Sequence, residues 1–261
     1  MKQTLKISLT VIVCFLLYYF GSKQFRTIMY NINNVVHNWM YSYLITYVLI
    51  GIPIFIGTLI VSKPTGIFRP LGLRGNILKA LGLSLLFTAP MFIGGIVIGK
   101  LQTPMHAIDI YRLLAKTVFA GFFEELYFRA FLFGLLFKYT RIGFIPAILL
   151  GAIIFALGHI YQSNDVSAKV VIFLITFIGA GYFAWLYAEW KFNLWVPILM
   201  HTFMNASWML YALADNAMGG IYSNIFRVVT IALSIVFTII YKRRNNKKLE
   251  VNRNTLLWNT A

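Results

Sequence analysis

Two adjacent glutamates, Glu124 and Glu125, stand in a long apolar stretch of this 261-residue chain. With Arg129 they are the only charged residues between Lys116 and Lys138. The 21 residues of that stretch are enough to cross a bilayer. An ionised side chain at the membrane centre costs roughly 2.5–3.5 kcal/mol on insertion scales, so such groups need protein or water around them and indicate a functional site.

Helical spacing separates the roles of the two glutamates. Glu125 and Arg129 are at i,i+4 with the acid before the base, which is the favourable order for an ion pair. Glu124 and Arg129 are at i,i+5 and lie about 140° apart on a 3.6-residue repeat. We therefore expect Arg129 to neutralise Glu125 and Glu124 to lack a partner on its own helix. A structural ion pair would explain Glu125 and Arg129, whereas Glu124 is suited to act as a general base.

Two later apolar runs supply further polar groups, His159 in one and His201 with Asn205 in the other. The i,i+4 spacing places His201 and Asn205 on one helix face. Each histidine taken alone is more typical of a packed, hydrogen-bonded residue than of a catalyst. Because polar groups in hydrocarbon seek one another, we expect the three helices to bring these side chains into one interior site.

Several other kinds of chemistry find no support in the sequence. No Ser, Cys or Asp is placed with a base as a covalent nucleophile would be. An HExxH helix and a phosphate-binding glycine loop are absent from the sequence. Cys14 is the only cysteine, which excludes an intrachain disulfide.

The elements that must position these residues are apolar runs bounded by charged residues. The chain is 60% hydrophobic with a mean hydropathy of +0.77, more apolar than a soluble domain requires. We predict an all-α fold, a polytopic transmembrane bundle of about eight helices that forms a single integral membrane domain over 1–261. The eight runs are about 5–21, 39–61, 77–99, 117–137, 142–160, 169–188, 192–213 and 225–241.

The Lys and Arg residues that give the net charge of +16 follow the pattern of membrane-topology signals and not that of a nucleic-acid-binding surface. With the N-terminus inside, the inner segments hold 15 Lys and Arg residues and the outer segments 7. We therefore predict that both termini are cytoplasmic, that 242–261 is a basic cytoplasmic tail, and that the lipid bilayer is a partner and nucleic acid is not. The first run has no small-residue cleavage site after it, which favours a retained helix over a signal peptide.

Three motifs in chain order resemble those of the CPBP family, the CAAX proteases and bacteriocin-processing enzymes, also called Abi. Its EExxxR motif matches Glu124-Glu125-Leu-Tyr-Phe-Arg129, FxxxH matches Phe155-Ala-Leu-Gly-His159, and HxxxN matches His201-Thr-Phe-Met-Asn205. Each motif is weak alone, but three in order, each within an apolar run, are fairly specific. The resemblance covers about 117–210, which we predict to be the catalytic core. Ala130 departs from the family, which often has Gly after the Arg.

The resemblance implies an intramembrane endopeptidase whose peptide or protein substrate enters from the membrane. By the family's pattern, Glu124 and His159 would hold and deprotonate a water, and His201 and Asn205 would form the oxyanion hole. Glu125 and Arg129 would support the site. This mechanism needs no cofactor. The alternative is a zinc metalloprotease in which Glu124, His159 and His201 are the metal ligands.

Two other functions stay open on the sequence. One is a non-proteolytic membrane binder, such as a bacteriocin-immunity or signalling-regulator protein that kept the fold. The other is a proton-coupled transporter in which Glu124 and the histidines form a relay, although the sequence shows no internal repeat. For a short chain with no appended domain, we expect a multi-pass protein of the bacterial cell membrane.

Overall fold

A computed structural model describes residues 2–62, 66–102 and 106–259. Over these ranges the chain is helical and has no β-strand, with one isolated antiparallel bridge between Ile142 and Trp258. The predicted all-α polytopic bundle is confirmed. Lys63, which contributes to the charge count, and the last two residues of the predicted tail lie outside the described residues.

Twelve α-helices are named here in chain order. They are α1 (Lys2–Ser22), α2 (Phe25–Val36), α3 (Trp39–Ile50), α4 (Ile52–Ser62), α5 (Ile77–Ile98), α6 (Ala107–Leu114), α7 (Ala120–Glu124), α8 (Gly134–Tyr139), α9 (Phe144–Leu157), α10 (Val166–Glu189), α11 (Trp195–Leu210) and α12 (Ile221–Arg244). From α6 to α8 one helix continues through two π-helical stretches, Ala115–Phe119 and Glu125–Phe133, on either side of α7. A short 3₁₀ turn, Ile160–Gln162, follows α9.

The eight predicted apolar runs each coincide with a helix or a helix pair. By length and composition α1, α5, α10, α12 and the segment Phe144–Gln162 qualify as membrane spans. The pair α3 and α4, bent by 43°, makes a sixth candidate. The other two runs are the helix with π-helical stretches and α11, which has 16 residues.

The helix that carries the two glutamates lies at the centre of the bundle. Its second π-helical stretch packs against α1, α4, α9 and α10, while α7 and the first stretch pack against α11. Most of its side chains are buried, including Leu126, Tyr127, Phe131 and Phe133, which are at most 1% exposed. An apolar helix can also face lipid, so it is this burial, and not the apolar composition, that shows the helix to be surrounded by other helices. Glu125 and Arg129, at most 1% exposed, are therefore enclosed by other helices.

The sequence patterns do not predict α2, which lies on the surface of the bundle. None of its side chains is buried. It packs against α3, and the ring of Phe25 at its start lies 4.8 Å from Tyr47 and 5.0 Å from Tyr43, measured between centroids. Its 12 residues are too few to cross a bilayer, so a search for long apolar runs passes over it.

The loops gather at two opposite ends of the bundle. At one end, which we call the inner side because the charge count predicts that it faces the cytoplasm, the amide of Leu194 donates to the Gly72 carbonyl over 3.1 Å. The start of α1 and the end of α4 also lie side by side there. At the other end, the outer side, the amide of Lys100 donates to the Tyr211 carbonyl over 2.9 Å. The alternation of segments between two sides, which the charge count assumes, is present in the structure.

The C-terminal segment after α12 folds back against the inner side. The amides of residues 143–145, at the start of α9, donate to carbonyl oxygens of residues 255–257 over 2.8–3.1 Å. The first amides of a helix have no partner within the helix, and here the tail supplies their acceptors. The carboxylate of Glu189 accepts the amides of Glu250 at 3.1 Å and Val251 at 2.9 Å. Hydrogen bonds therefore hold much of the segment predicted as a basic tail against the helical bundle.

Candidate active site

Glu125 is the centre of a buried polar cluster. Its side chain is fully buried, and one carboxylate oxygen lies 3.3 Å from Nε of Arg129, whose side chain is 1% exposed. The other oxygen lies 2.8 Å from Nδ1 of His201 on α11. The predicted pairing of Glu125 with Arg129 is present, and the contact with His201 was not predicted. The cluster joins the first motif to the third.

The helical geometry behind the predicted pairing needs a correction. The sequence interpretation assumed an α-helix with 3.6 residues per turn, whereas Glu125–Phe133 is π-helical with i→i+5 hydrogen bonds. The calculated 140° between Glu124 and Arg129 therefore does not apply. Glu125 still pairs with Arg129, and Glu124 has no ion pair with Arg129 within 4.0 Å in the described chain. π-Helical turns are rare and occur frequently at functional sites.

His201 is held in one orientation between the two glutamates. Because an ionised carboxylate can only accept, the contact with Glu125 places a proton on Nδ1 of His201. The ring of Phe183 on α10 stacks on the imidazole with centroids 5.3 Å apart. Nε2 is thereby directed towards Glu124, 4.0 Å from its Oε2. This separation is longer than a hydrogen bond and short enough for one water to bridge the two groups.

Glu124 is the accessible member of the glutamate pair. Its side chain is 25% exposed, whereas that of Glu125 is 0% exposed. It is the last residue of α7, at the junction with the second π-helical stretch. A partly accessible carboxylate beside an oriented imidazole can exchange a proton with a water or substrate, and a sealed carboxylate cannot.

His159 lies at the outer end of α9, just before the 3₁₀ turn. Its Nδ1 lies 2.7 Å from the carbonyl oxygen of Phe155, which can only accept a hydrogen bond. In the neutral imidazole Nδ1 therefore carries the proton, which leaves the lone pair on Nε2. Within the part of the chain that the structure describes, His159 makes no contact within 4.0 Å with the carboxylate of Glu124. The predicted meeting of Glu124 with both histidines is thus found for His201 and not for His159.

Phe155 connects His159 to the buried cluster. Its ring lies 4.4 Å from the imidazole of His159, and the guanidinium of Arg129 lies 4.2 Å from the same ring centroid. Phe183 also lies near that guanidinium, at 5.7 Å. Cation–π contacts of this kind stabilise a cation in a dry site. Sequence reasoning noted Phe155 only as part of a motif and missed Phe183, for which a single sequence contains no signal.

Asn205 lies one turn beyond His201 on α11. Its side-chain amide donates to the carbonyl of Lys116, in the first π-helical stretch, over 2.9 Å. The amide thus links α11 to the glutamate helix. One N–H of the amide is used in this contact, and the second N–H is available for another acceptor.

Gly121 allows the two site helices to approach closely. A Cβ built at this position would lie 2.5 Å from Oγ1 of Thr202 and 3.1 Å from the Ile198 carbonyl. Both of those residues are on α11, on either side of His201. A side chain at residue 121 would therefore push α11 away from α7 and change the distance between His201 and Glu124.

The zinc alternative requires Glu124, His159 and His201 to meet around one metal ion. Among residues 2–62, 66–102 and 106–259, no group of three His, Cys, Asp or Glu side chains is placed to share a metal ion. Nδ1 of His201 lies against Glu125 and Nδ1 of His159 against the Phe155 carbonyl, so Nε2 of each ring is the nitrogen that a metal would have to reach. A zinc site needs three protein ligands at about 2.0–2.2 Å from one point. The three candidate ligands do not fit that requirement in this arrangement, and we assign no step to a metal.

Comparison with known proteins adds an independent observation. Residues 106–207 match the family model described as type II CAAX prenyl endopeptidase Rce1-like. Neither the curated proteins nor the solved structures gave a match. The matched segment contains the EExxxR, FxxxH and HxxxN motifs in full. Over residues 106–207, the resemblance of this chain to the CPBP and CAAX protease family is therefore confirmed.

Proposed function

We propose that this chain is an intramembrane endopeptidase in which Glu124 is the general base. The observation that carries the proposal is the ordered contact series Arg129–Glu125–His201, which ends with Nε2 of His201 4.0 Å from the accessible carboxylate of Glu124. The family match supports the same general activity, a CAAX-type intramembrane peptidase. The identity of the catalytic residues is our proposal.

The proposed reaction is a hydrolysis with one water. Glu124 takes a proton from the water while the water oxygen forms a bond to the peptide carbonyl carbon. The electrons of the carbonyl π bond move onto the carbonyl oxygen. The resulting tetrahedral intermediate carries an oxyanion. As the carbon–nitrogen bond breaks, Glu124 returns its proton to the leaving amine, which gives a carboxylic acid and an amine product.

The hydrogen-bonding states suggest different roles for the two histidines. His159 presents a lone pair at Nε2, so it can accept a hydrogen bond from the water and cannot donate to an oxyanion there. His201 carries a proton on Nδ1, against the buried carboxylate, and donates from Nε2 as well when it is the imidazolium. The free N–H of Asn205 is the second proposed oxyanion donor. Such a donor is typically worth about 2.7–4 kcal/mol of barrier.

The charges of the proposed site balance in that protonation state. Two carboxylates, Glu124 and Glu125, face one guanidinium and one imidazolium, so the net charge is zero. A neutral set of paired charges is far less costly to bury than any one of its members alone. This is a physical reason for two adjacent glutamates, because one neutralises Arg129 and the other is left for the chemistry.

The test compares wild type with Glu124→Gln and with Asp215→Asn in proteoliposomes, with cleavage of a membrane-anchored peptide library measured by mass spectrometry. Asp215 is an exposed carboxylate outside the cluster and is the matched control. We expect Glu124→Gln to abolish cleavage and Asp215→Asn to retain it. Full cleavage by Glu124→Gln would refute the proposed base.

The same variants separate a protease from a binder in cells. If the cellular phenotype is retained in both Glu124→Gln and His201→Ala at matched expression, the chain acts without proteolysis. Loss of proton-dependent uptake would instead indicate a transporter. We propose a location in the bacterial cell membrane with both termini in the cytoplasm. Accessibility labelling of single cysteines at the two ends, with Cys14 removed, tests that orientation.

A further inference from the structure

A cleft on the inner side has no part in the proposed chemistry. It has a volume of about 710 Å³ and lies where the ends of α8, α10 and α12 meet the start of α5 and the C-terminal segment. A volume of this size is within the usual range for small-molecule sites. The lining is strongly basic, with six lysines and two glutamates: Lys79, Lys138, Lys191, Lys242, Lys247, Lys248, Glu189 and Glu250.

The two glutamates of the cleft are occupied by one lysine and the backbone. Lys242 lies 2.5 Å from Glu189 and 3.6 Å from Glu250, measured from Nζ to the carboxylate oxygens. Glu189 also accepts the two backbone amides of the tail. For the other five lysines, the described chain offers no carboxylate within 4.0 Å. Burial lowers the pKa of Lys138 to about 7, so the surplus of positive charge that the protein itself does not neutralise belongs to the other four lysines.

Two of these lysines converge on one neutral hydroxyl. Nζ of Lys79 lies 3.0 Å and Nζ of Lys247 3.4 Å from the hydroxyl oxygen of Tyr241. Both ammonium groups also lie over the Tyr241 ring, at 4.7 and 5.1 Å from its centroid, and Trp190 stacks on that ring at 5.0 Å. Two like charges held this close repel each other, and an anion placed between them would relieve the repulsion.

We propose that this cleft binds a phosphate group, that of an anionic phospholipid headgroup. The cleft lies at the ends of the spanning helices α10 and α12, where headgroups are found, and basic pockets between helix ends are suited to such lipids. Leu78, next to Lys79 at the start of α5, is 77% exposed and offers an apolar surface for an acyl chain. A soluble phosphate has the same recognition chemistry, so the experiment must separate the two sources.

The experiment uses the full chain, purified in a non-ionic detergent. Bound lipid is counted by native mass spectrometry during titration with phosphatidylglycerol or phosphatidylcholine. Thermal unfolding is followed in parallel with phosphatidylglycerol, glycerol phosphate and inorganic phosphate. The test variant is Lys79→Gln/Lys247→Gln, and Lys79→Arg/Lys247→Arg keeps the charge. The matched control, Arg69→Gln/Arg253→Gln, removes two exposed charges that do not line the cleft.

We expect one tightly bound phosphatidylglycerol in wild type, in the arginine variant and in the control. In the glutamine variant its affinity should fall roughly 30-fold, the effect of two basic side chains at a membrane surface. Stabilisation by phosphatidylglycerol but not by the soluble phosphates would assign the site to lipid. Stabilisation by soluble phosphates as well, lost in the glutamine variant, would assign it to the phosphate group alone. Equal affinity in the glutamine variant and the control would overturn the proposal.

Discussion

Replacing Glu125 by Gln should destabilise the fold, whereas the same change at Glu124 should not. Arg129 is 1% exposed, and Glu125 is its one carboxylate partner within 4.0 Å in the described residues. Glu125→Gln would leave that guanidinium buried without a counter-charge and would weaken the contact to His201. Removal of one partner of a buried ion pair costs about 3–5 kcal/mol, which is a decrease of roughly two to four orders of magnitude in the folded-to-unfolded ratio.

Glu124→Gln is the matched comparison because it makes the same chemical change at the adjacent residue. The side chain of Glu124 is 25% exposed, and its one ion-pair contact with the residues that the structure describes is the 4.0 Å approach to His201. Contacts of that length at partly exposed positions are worth about 1 kcal/mol or less. The two variants should therefore differ in stability by several kcal/mol while both lose cleavage activity.

The assay is equilibrium unfolding of the purified chain in mixed micelles with increasing denaturing detergent, monitored by tryptophan fluorescence. A double variant, Glu125→Gln/Arg129→Met, removes both charges and should recover much of the lost stability, since an apolar replacement of a buried ion pair is often neutral. Identical unfolding midpoints for Glu124→Gln and Glu125→Gln would refute the assignment of Glu125 as the structural member of the pair.

Three further predictions concern the geometry and chemistry of the site. Gly121→Ala should lower kcat at least tenfold by separating α7 from α11. Gly181→Ala, where an added Cβ meets no atom within 4 Å, should leave the cleavage rate unchanged. Equal cleavage rates for the two variants would argue against close helix approach as the reason for the glycine at 121. Asn205→Ala should leave weak residual activity, about 10²–10³-fold below wild type by single-turnover kinetics, since one oxyanion donor is lost. Exhaustive dialysis against a zinc chelator should leave peptide cleavage intact, and stoichiometric zinc in the purified protein whose removal abolishes activity would end the metal-free mechanism.

Much of the fold follows from properties of single residues. The insertion cost of a charged side chain applies wherever that residue lies, so long runs without charge predict the spanning helices and their approximate limits. The eight runs coincide with helices for this reason. The same reasoning does not predict the surface helix α2, because that helix is short and amphipathic. Nor does it predict the limits of the π-helical stretches, since the i→i+5 pattern depends on how the surrounding helices pack.

The sequence predicted which polar side chains lie within the helices better than it predicted how they are arranged. The scarcity of charge in the apolar runs singled out Glu124, Glu125 and Arg129, and the i,i+4 spacing predicted the ion pair that the structure contains. The partner of His201 was not predictable. Spacing along one helix says nothing about which side chain of another helix will lie opposite, and Glu125 rather than Glu124 occupies that position.

By itself, the sequence determined the class of the protein, the helices that cross the membrane and the few polar side chains that lie within them. These depend on the cost of placing each residue type in hydrocarbon, which is local and additive. Only the tertiary structure decided which glutamate is buried and which is accessible, which nitrogen of each histidine lies against a hydrogen-bond acceptor, and where the lysines of the C-terminal segment lie. Those features depend on distances of a few ångströms between segments far apart in the chain, and only the packing of the helices sets such distances.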